Sequence, residues 1–293
     1  MEAKDAIGME ESTNRCALCG EISKLSESHI IPKFIFNWLK DTSATGYLRQ
    51  AIKPNLRIQD GIKKELLCLT CENKFSVYEK YFAENIFYPF VNKKKTSFQY
   101  NKNLMLFQMS IAWRLITSDL GGLRSFCPKM YPYIEKAEHH WHELLQKEEV
   151  DKIYSHHVFF VHYIQEAPKD LPPKFQAYMH RLVDATLVAS DQEAWVFIKL
   201  PSMIMASQIY PPSSSTWINT LIDENGAFSG PQQILDSGFY GFLLSRLRIV
   251  QNNPISLQQQ KRITETMAKG GDRALNSKSF ELFLEECKRK SGL

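Results

Sequence analysis

Two Cys-x-x-Cys pairs, Cys16/Cys19 and Cys68/Cys71, lie in the first quarter of a 293-residue chain. Two such turns, each aiming two sulfurs at one point, are the usual way to build a tetrahedral four-thiolate zinc site. The glycine that follows Cys19 in "CALCG" suits the tight turn a knuckle needs. Neither pair has a thioredoxin-like Trp-Cys-x-x-Cys context, which argues against redox chemistry. Forty-eight residues separate Cys19 from Cys68, so a shared metal would clamp the two ends of a larger insert, and that insert holds His29 in "SESHIIPKF". A four-thiolate site is closed and needs no fifth ligand. His29 is therefore either a packed histidine or a group with its own task, since an imidazole titrates near neutral pH and can take a proton from water. Cys127 and Cys287 are isolated and read as buried or idle thiols.

The elements that must hold these residues are legible in outline. Residues 1–13 are polar, acidic and aperiodic. A first unit spans about 14–92: the Cys16/Cys19 turn, "SHII" as a short strand, "PKFIFNWLK" as an aromatic helix, and a basic, weakly patterned stretch to about residue 60. It ends in "ELLCLTCENKFSVYEKYFAENIFY", where Phe75, Tyr78, Phe82 and Phe87 recur at helical spacing and predict a helix starting at or just after Cys71. The lysine run "NKKKTS" marks a boundary, and a second unit covers 96–293. Helices are expected over 101–118 and 131–147, and strands in "SHHVFFVHYI", "RLVDATLVAS", "EAWVFIKLP" and "MIMASQIY". A hairpin turning at Glu-Asn-Gly is expected in "TWINTLIDENGAFSG", and helices near 238–250, 256–269 and 277–289. The fold class is α+β, with an antiparallel sheet in the second unit.

Composition narrows the function. The chain carries a formal net charge of +4, with 44% hydrophobic and 23% charged residues, ordinary for a globular protein. The charge is uneven: residues 1–11 carry −3, residues 12–100 carry +6, and the rest +1. The cysteine unit is thus the basic one, as expected of a segment that meets a polyanion. The longest apolar run, "NLMLFQMSIAWRLITSDL", is broken by Gln108, Ser110 and Arg114 and reads as a buried helix rather than a membrane span. There is no basic segment followed by an apolar run at the N-terminus, so a cytoplasmic protein without a membrane partner is expected.

The succession Cys-x-x-Cys, "SHIIPKF" and "LLCLTCEN" leading into a helix resembles the zinc-bearing HNH endonucleases. In that family two such knuckles bracket a ββα-metal site, its first motif reading roughly Asp-His-Ile-x-Pro and its second Leu-Cys-x-x-Cys followed by His or Asn. The resemblance covers about residues 14–85. It implies an N-terminal HNH-like module at 14–92, with Cys16, Cys19, Cys68 and Cys71 holding a structural zinc. It implies His29 as the general base that activates water, and a hydrolytic cation, Mg2+ or Mn2+, with oxygen ligands. Two positions depart from the family. Ser28 stands in place of the metal-binding aspartate, and Glu72 in place of the residue after the last Cys. Glu72 supplies a carboxylate, and Glu79, seven residues on, shares its helical face. Glu27 points to the opposite strand face from Ser28. The family's asparagine before the Leu-Cys is replaced by Lys63, Lys64 and Glu65, leaving Asn55 as a more distant substitute. Lys33, Lys63, Lys64 and Lys74 are the expected phosphate contacts.

The resemblance therefore implies a metal-dependent endonuclease acting on DNA, or alternatively RNA, of the kind found in bacterial defence against phage or restriction. The alternative is a catalytically silent zinc-stabilised module that binds nucleic acid or protein. Residues 96–293 would choose the target, hold a protein partner or form a homo-oligomer. Other histidines read as structural: "EHHWHE" (138–143) as a solvated helix turn, His156 and His162 on one strand face with His157 on the other, and His180 alone. No glycine-rich phosphate loop and no Gly-x-Ser-x-Gly elbow occurs, which leaves nucleotide-driven and serine-hydrolase chemistry without support.

Overall fold

The computed structural model describes residues 15–92, 95, 97–161, 172–213, 216–228 and 231–291. After the Cys16/Cys19 turn come strand β1 (Leu25–His29), helix α1 (Lys33–Asp41), the short strands β2 (Leu48–Arg49) and β3 (Arg57–Ile58), strand β4 (Lys63–Cys68) and helix α2 (Leu69–Phe82). β1 pairs antiparallel with β4, setting His29 opposite Lys63, and β2 pairs with β3 as a small hairpin inside the insert. β1 ends at His29 because Pro32 follows three residues later and caps α1, whose Ile35, Phe36, Trp38 and Leu39 form its buried face.

Helix α2 begins two residues earlier than the spacing of its aromatics predicts. Cys68 has an extended backbone and serves as the N-cap, so the chain passes from strand straight into helix and Cys71 lies in the first turn. Phe75, Tyr78 and Phe82 are buried as expected. A turn of π-helix (Ala83–Phe87) then leads into α3 (Tyr88–Val91).

Strand β5 (Phe98–Tyr100) precedes α4 (Lys102–Thr117), α5 (Leu120–Phe126) and α6 (Tyr131–Lys147). Asn101 caps α4, its side-chain oxygen accepting from the Asn103 amide at 3.0 Å. Strand β6 (His156–Phe160), helix α7 (Phe175–Arg181) and strands β7 (Asp184–Ala189), β8 (Ala194–Leu200) and β9 (Met203–Tyr210) follow. These four strands form one antiparallel sheet in the order β6-β9-β8-β7. β8 is buried along its whole length, which is why it reads as a nearly continuous apolar run, broken by the buried Lys199, rather than an alternating one.

The expected hairpin in "TWINTLIDENGAFSG" does not form. β10 (Trp217–Ile218) pairs with β12 (Gln233–Ile234), whereas β11 (Gly226–Phe228) pairs with the distant β5. Packing of Tyr100 against Phe228, with tilted rings whose centroids are 4.8 Å apart, draws β11 away from the local partner its turn residues suggest. The chain closes with α8 (Ser237–Gln251), α9 (Leu257–Gly270), the short α10 (Asp272–Leu275) and α11 (Lys278–Ser291).

Helix α4 is the spine. Twelve of its sixteen residues are buried, because α2 lies on one side, α6 on another and the four-stranded sheet on a third. Phe107 stacks on Phe82 at 4.0 Å, and the Gln108 side chain donates to the Ala206 carbonyl at 2.8 Å. Burying one such aromatic ring stabilises by roughly 1.5–3 kcal/mol. One apolar cluster accordingly runs from Cys16 to Phe228, across residues 92–96. A smaller cluster, with Trp195, Trp217 and Phe239, fills the space between the sheet and α8. Among the described residues no helix is long and apolar enough to cross a membrane.

The histidine-rich turn of α6 is less solvated than its composition suggests. His139 is exposed, but His140 contacts Asp151 at 2.7 Å and His142 contacts the Leu18 carbonyl at 2.7 Å, joining α6 to the first cysteine turn. His156, His157 and His180 are buried structural residues; His162 lies outside the described residues.

Candidate metal centre and the adjoining His29 cluster

Cys16 and Cys19 come from the first turn, Cys68 from the end of β4 and Cys71 from the start of α2. All four sulfurs lie within 4.8 Å of one another. The turn closes through Gly20, whose amide donates to the Cys16 carbonyl at 2.9 Å and whose φ of +76° is the left-handed conformation glycine adopts without cost. Cys19 Sγ and Cys68 Sγ are 3.8 Å apart. A tetrahedron with Zn–S bonds of about 2.3 Å has edges of about 3.8 Å, so the four cysteines can hold a metal such as zinc. The Cys68 amide donates to Cys16 Sγ at 3.3 Å. Burial raises the Cys16 pKa, but the amides of Cys19, Cys68 and Leu18 outweigh it and bring the thiol down to about 7. Burial and the neighbouring sulfurs push Cys71 up. A cation at the centre removes that conflict by stabilising all four thiolates together.

The second cluster begins one residue further along α2. Glu72 follows Cys71, and its Oε1 is buried with no hydrogen-bond partner among the described residues. Glu79 lies two helical turns on, nearly on the same face, as the spacing predicts. It is 23% exposed at its rim and pairs with Arg114 Nη2 at 3.0 Å. Burial raises the Glu79 pKa, Arg114 opposes the shift, and Glu72 and His29 both lie close enough to contribute, with opposite signs. Arg114, almost fully buried in α4, also donates through Nη1 to the His29 backbone carbonyl at 2.6 Å. One guanidinium from the second half of the chain thus fixes a carboxylate of α2 and the end of β1 relative to each other.

His29 Nε2 lies 3.1 Å from Asp60 Oδ2, an ion-pair distance whose angle falls short of a hydrogen bond. Lys63 Nζ stands 3.4 Å from the same oxygen and 3.6 Å from Glu27. Burial alone would raise the Asp60 pKa, but His29 and Lys63 outweigh it and lower it. Ser28 is fully buried, and its hydroxyl faces the Ser26 carbonyl at 3.5 Å. It contributes nothing to the cluster that holds His29. Asn55, the distant substitute for the family's asparagine, accepts from the Ser256 amide at 2.9 Å, and Asp60 occupies the place beside His29 instead.

Of the four lysines, Lys33, Lys63 and Lys64 are exposed. Lys63 is engaged by Asp60 and Glu27, and Lys74 is drawn to the Gln146 carbonyl at 2.9 Å and to Glu148 at 3.3 Å. Lys74 therefore helps dock α2 on the end of α6.

Two residues of this cluster escape sequence reading, Asp60 and Arg114. Arg114 did carry a signal: a lone cation in an apolar helix must find a carboxylate or carbonyls once buried. Asp60, in "QDGIKK", looks like any turn aspartate.

Among the described residues the four cysteines are the one group whose ligand atoms gather closely enough to hold a metal ion; Glu72 Oε1 is a buried oxygen with no hydrogen-bond partner among them. No family model matches the chain, and neither the curated proteins nor the solved structures contain a match.

Proposed function

We propose that this protein is a metal-dependent endonuclease that hydrolyses phosphodiester bonds, with His29 as general base and Glu72, assisted by Glu79, holding a Mg2+ or Mn2+ ion. The observation that carries this reading is the buried, unpartnered Glu72 Oε1, one residue from the thiolate cluster and within electrostatic range of the group that also senses His29. The arrangement of an antiparallel strand pair running into a helix, with cysteine pairs at both ends, supports the HNH-like assignment. Residues 96–293 would then serve target choice, partner binding or self-association.

A proton on Nε2 faces Asp60, which leaves Nδ1 of His29 as the acceptor for a water proton. Asp60 then favours the imidazolium that forms and keeps the ring from turning. A cation bound at Glu72 supplies stabilisation of the negative charge that accumulates on the scissile phosphate. Arg114 holds β1 and α2 in register so that base and carboxylates stay on one side of the site. The silent-module alternative draws on Ser28, whose burial removes a ligand position that the family fills with aspartate.

The test is supercoiled-plasmid nicking with Mg2+ or Mn2+, comparing wild type with His29→Ala protein of equal zinc content. General-base removal should lower the rate by roughly 10²- to 10⁴-fold. Equal nicking by both proteins would remove His29 from the chemistry. No nicking by the wild type on DNA or RNA would favour the silent module.

A further inference from the structure

The insert between the cysteine pairs carries a second concentration of cations that neither the thiolate cluster nor the His29 cluster uses. From residue 42 to residue 58 the chain has Arg49, Lys53 and Arg57 and no acidic residue. This segment, the β2–β3 hairpin and its flank, packs against α9. Arg49 Nη2 donates to Gln259 Oε1 at 3.0 Å, the Tyr47 hydroxyl donates to Thr266 at 3.3 Å, and Asn55 takes the Ser256 amide. Gln259 and Thr266 are seven residues apart on α9, so Arg262 between them lies on the hairpin side and is exposed. Hairpin segment and α9 together hold six cations against one carboxylate, Glu265. That is a larger positive balance than the whole chain shows.

Tyr47 sits at the centre. The Arg57 guanidinium lies 3.7 Å from its ring centroid and the Arg49 guanidinium 5.5 Å. Among the described residues neither arginine has a salt-bridge partner. Arg49 is spent on the packing, since it also donates to the Pro54 carbonyl at 2.8 Å. Arg57 is not: it is exposed, stacked in place by Tyr47, and its side-chain N–H groups have no acceptor in the described protein. Packing of the hairpin on α9 explains Arg49 and Tyr47 but leaves Arg57, Lys53 and Arg262 unexplained. Cations held on one face without a counter-charge repel one another, and an anion relieves that repulsion. A planar guanidinium fixed against an aromatic ring presents its donors as a fork that fits a phosphate. Arg57 is three residues from Asp60, hence no more than about 11 Å from it along the backbone.

We propose that the β2–β3 hairpin and α9 form a clamp for the phosphodiester backbone of nucleic acid, with Arg57, Lys53 and Arg262 contacting phosphates and Tyr47 and Arg49 setting the hairpin's position. The clamp leads a strand to His29, and in that respect it rests on the endonuclease reading. Binding itself is measured apart from cleavage.

The experiment is fluorescence-anisotropy titration of His29→Ala protein with labelled 30-mer duplexes of DNA and of RNA, without added divalent cation, at several salt concentrations. Added to that background, Arg57→Gln should weaken binding roughly five- to ten-fold near 0.1 M salt and lower the log–log salt slope by about one. Lys53→Gln, at the exposed hairpin tip, should act in the same direction and guards against misfolding of the arginine variant. The duplex type that binds more tightly names the backbone. Unchanged affinity and slope in both variants would overturn the clamp while leaving nicking by wild type, and so the endonuclease reading, intact. Loss of nicking on His29→Ala with full clamp-dependent binding would support both. No binding of either duplex by the His29→Ala protein would overturn the clamp whatever the nicking result.

Discussion

Cys71 and Glu72 are neighbours in the first turn of α2, yet they serve clusters of opposite character. The thiolate cluster is closed. Its four sulfurs face one another, its backbone donors come from the same turns that carry the cysteines, and among the described residues nothing beyond Cys71 supplies a ligand. The His29 cluster is open. One of its carboxylate oxygens has no partner, its histidine leans on an aspartate from a turn, and its two halves are joined by Arg114 from another part of the chain. A structural site satisfies its own atoms. A site for chemistry leaves some unsatisfied, and the rest of the fold holds them in place.

The largest expected effect tests the closed half. Purified protein should contain one zinc per chain. A structural zinc contributes on the order of 10 kcal/mol of binding free energy that is also folding free energy. Chelation, or Cys71→Ser, should therefore melt the N-terminal region, as followed by metal content and near-ultraviolet circular dichroism. Retention of the native thermal transition by zinc-free protein would break the comparison at its root.

Next comes the brace. Arg114→Met leaves a mostly buried carboxylate and the His29 carbonyl without their partner, a loss of about 3–5 kcal/mol when one member of a buried ion pair is removed. The rim exposure of Glu79 places the expectation at the lower end. Adding Glu79→Met should restore part of the loss in urea melts. Zinc content should stay at one through both changes, since the brace does not touch the sulfurs. Simple addition of the two losses would show that the two side chains do not act as a pair.

Acid probes the histidines sealed in the sheet. Burial, first of all, holds His156 down at about 3 and His157 at about 4, against an ordinary value of 6.5. Unfolded chains therefore bind more protons than folded ones below pH 6.5, and stability falls as pH falls from there towards 4. Each histidine contributes up to about 1.4 kcal/mol per pH unit. The melting temperature should already drop between pH 6.5 and 5, above the usual carboxylate range. A flat profile over that interval would mean that neither histidine is sealed from solvent protons.

The smallest effect is the most telling about function. Glu72→Gln neutralises a half-buried carboxylate whose Oε1 has no partner among the described residues, and should leave stability unchanged or raise it by up to about 1 kcal/mol, while plasmid nicking falls. A clear loss of stability would mean that Glu72 serves the fold rather than a ligand.

Much of this was visible in the sequence, and the remainder was hidden for a consistent reason. The cysteines announce themselves because sulfur pairs at fixed spacing have few other uses, and Glu72 and Glu79 share a face because helical periodicity is local. Helix α6 falls on the expected residues for the same reason. Arg114 lies 35 positions from Glu79 and 85 from His29, and no local rule connects such distances. β11 fails the same way: its Glu-Asn-Gly turn advertises a hairpin, and an aromatic contact with β5, over a hundred residues earlier, decides otherwise.

The adjacency of Cys71 and Glu72 also sets an angular tolerance. A side-chain tip about 5 Å from a helix axis moves by roughly 2 Å when the helix rolls by about 20°, enough to carry a carboxylate oxygen out of reach of an ion. Cys71, on the same turn, cannot roll without leaving a centre whose other corners belong to β4 and the first turn. A metal seated among the four sulfurs would thus act on Glu72 as a rotational stop.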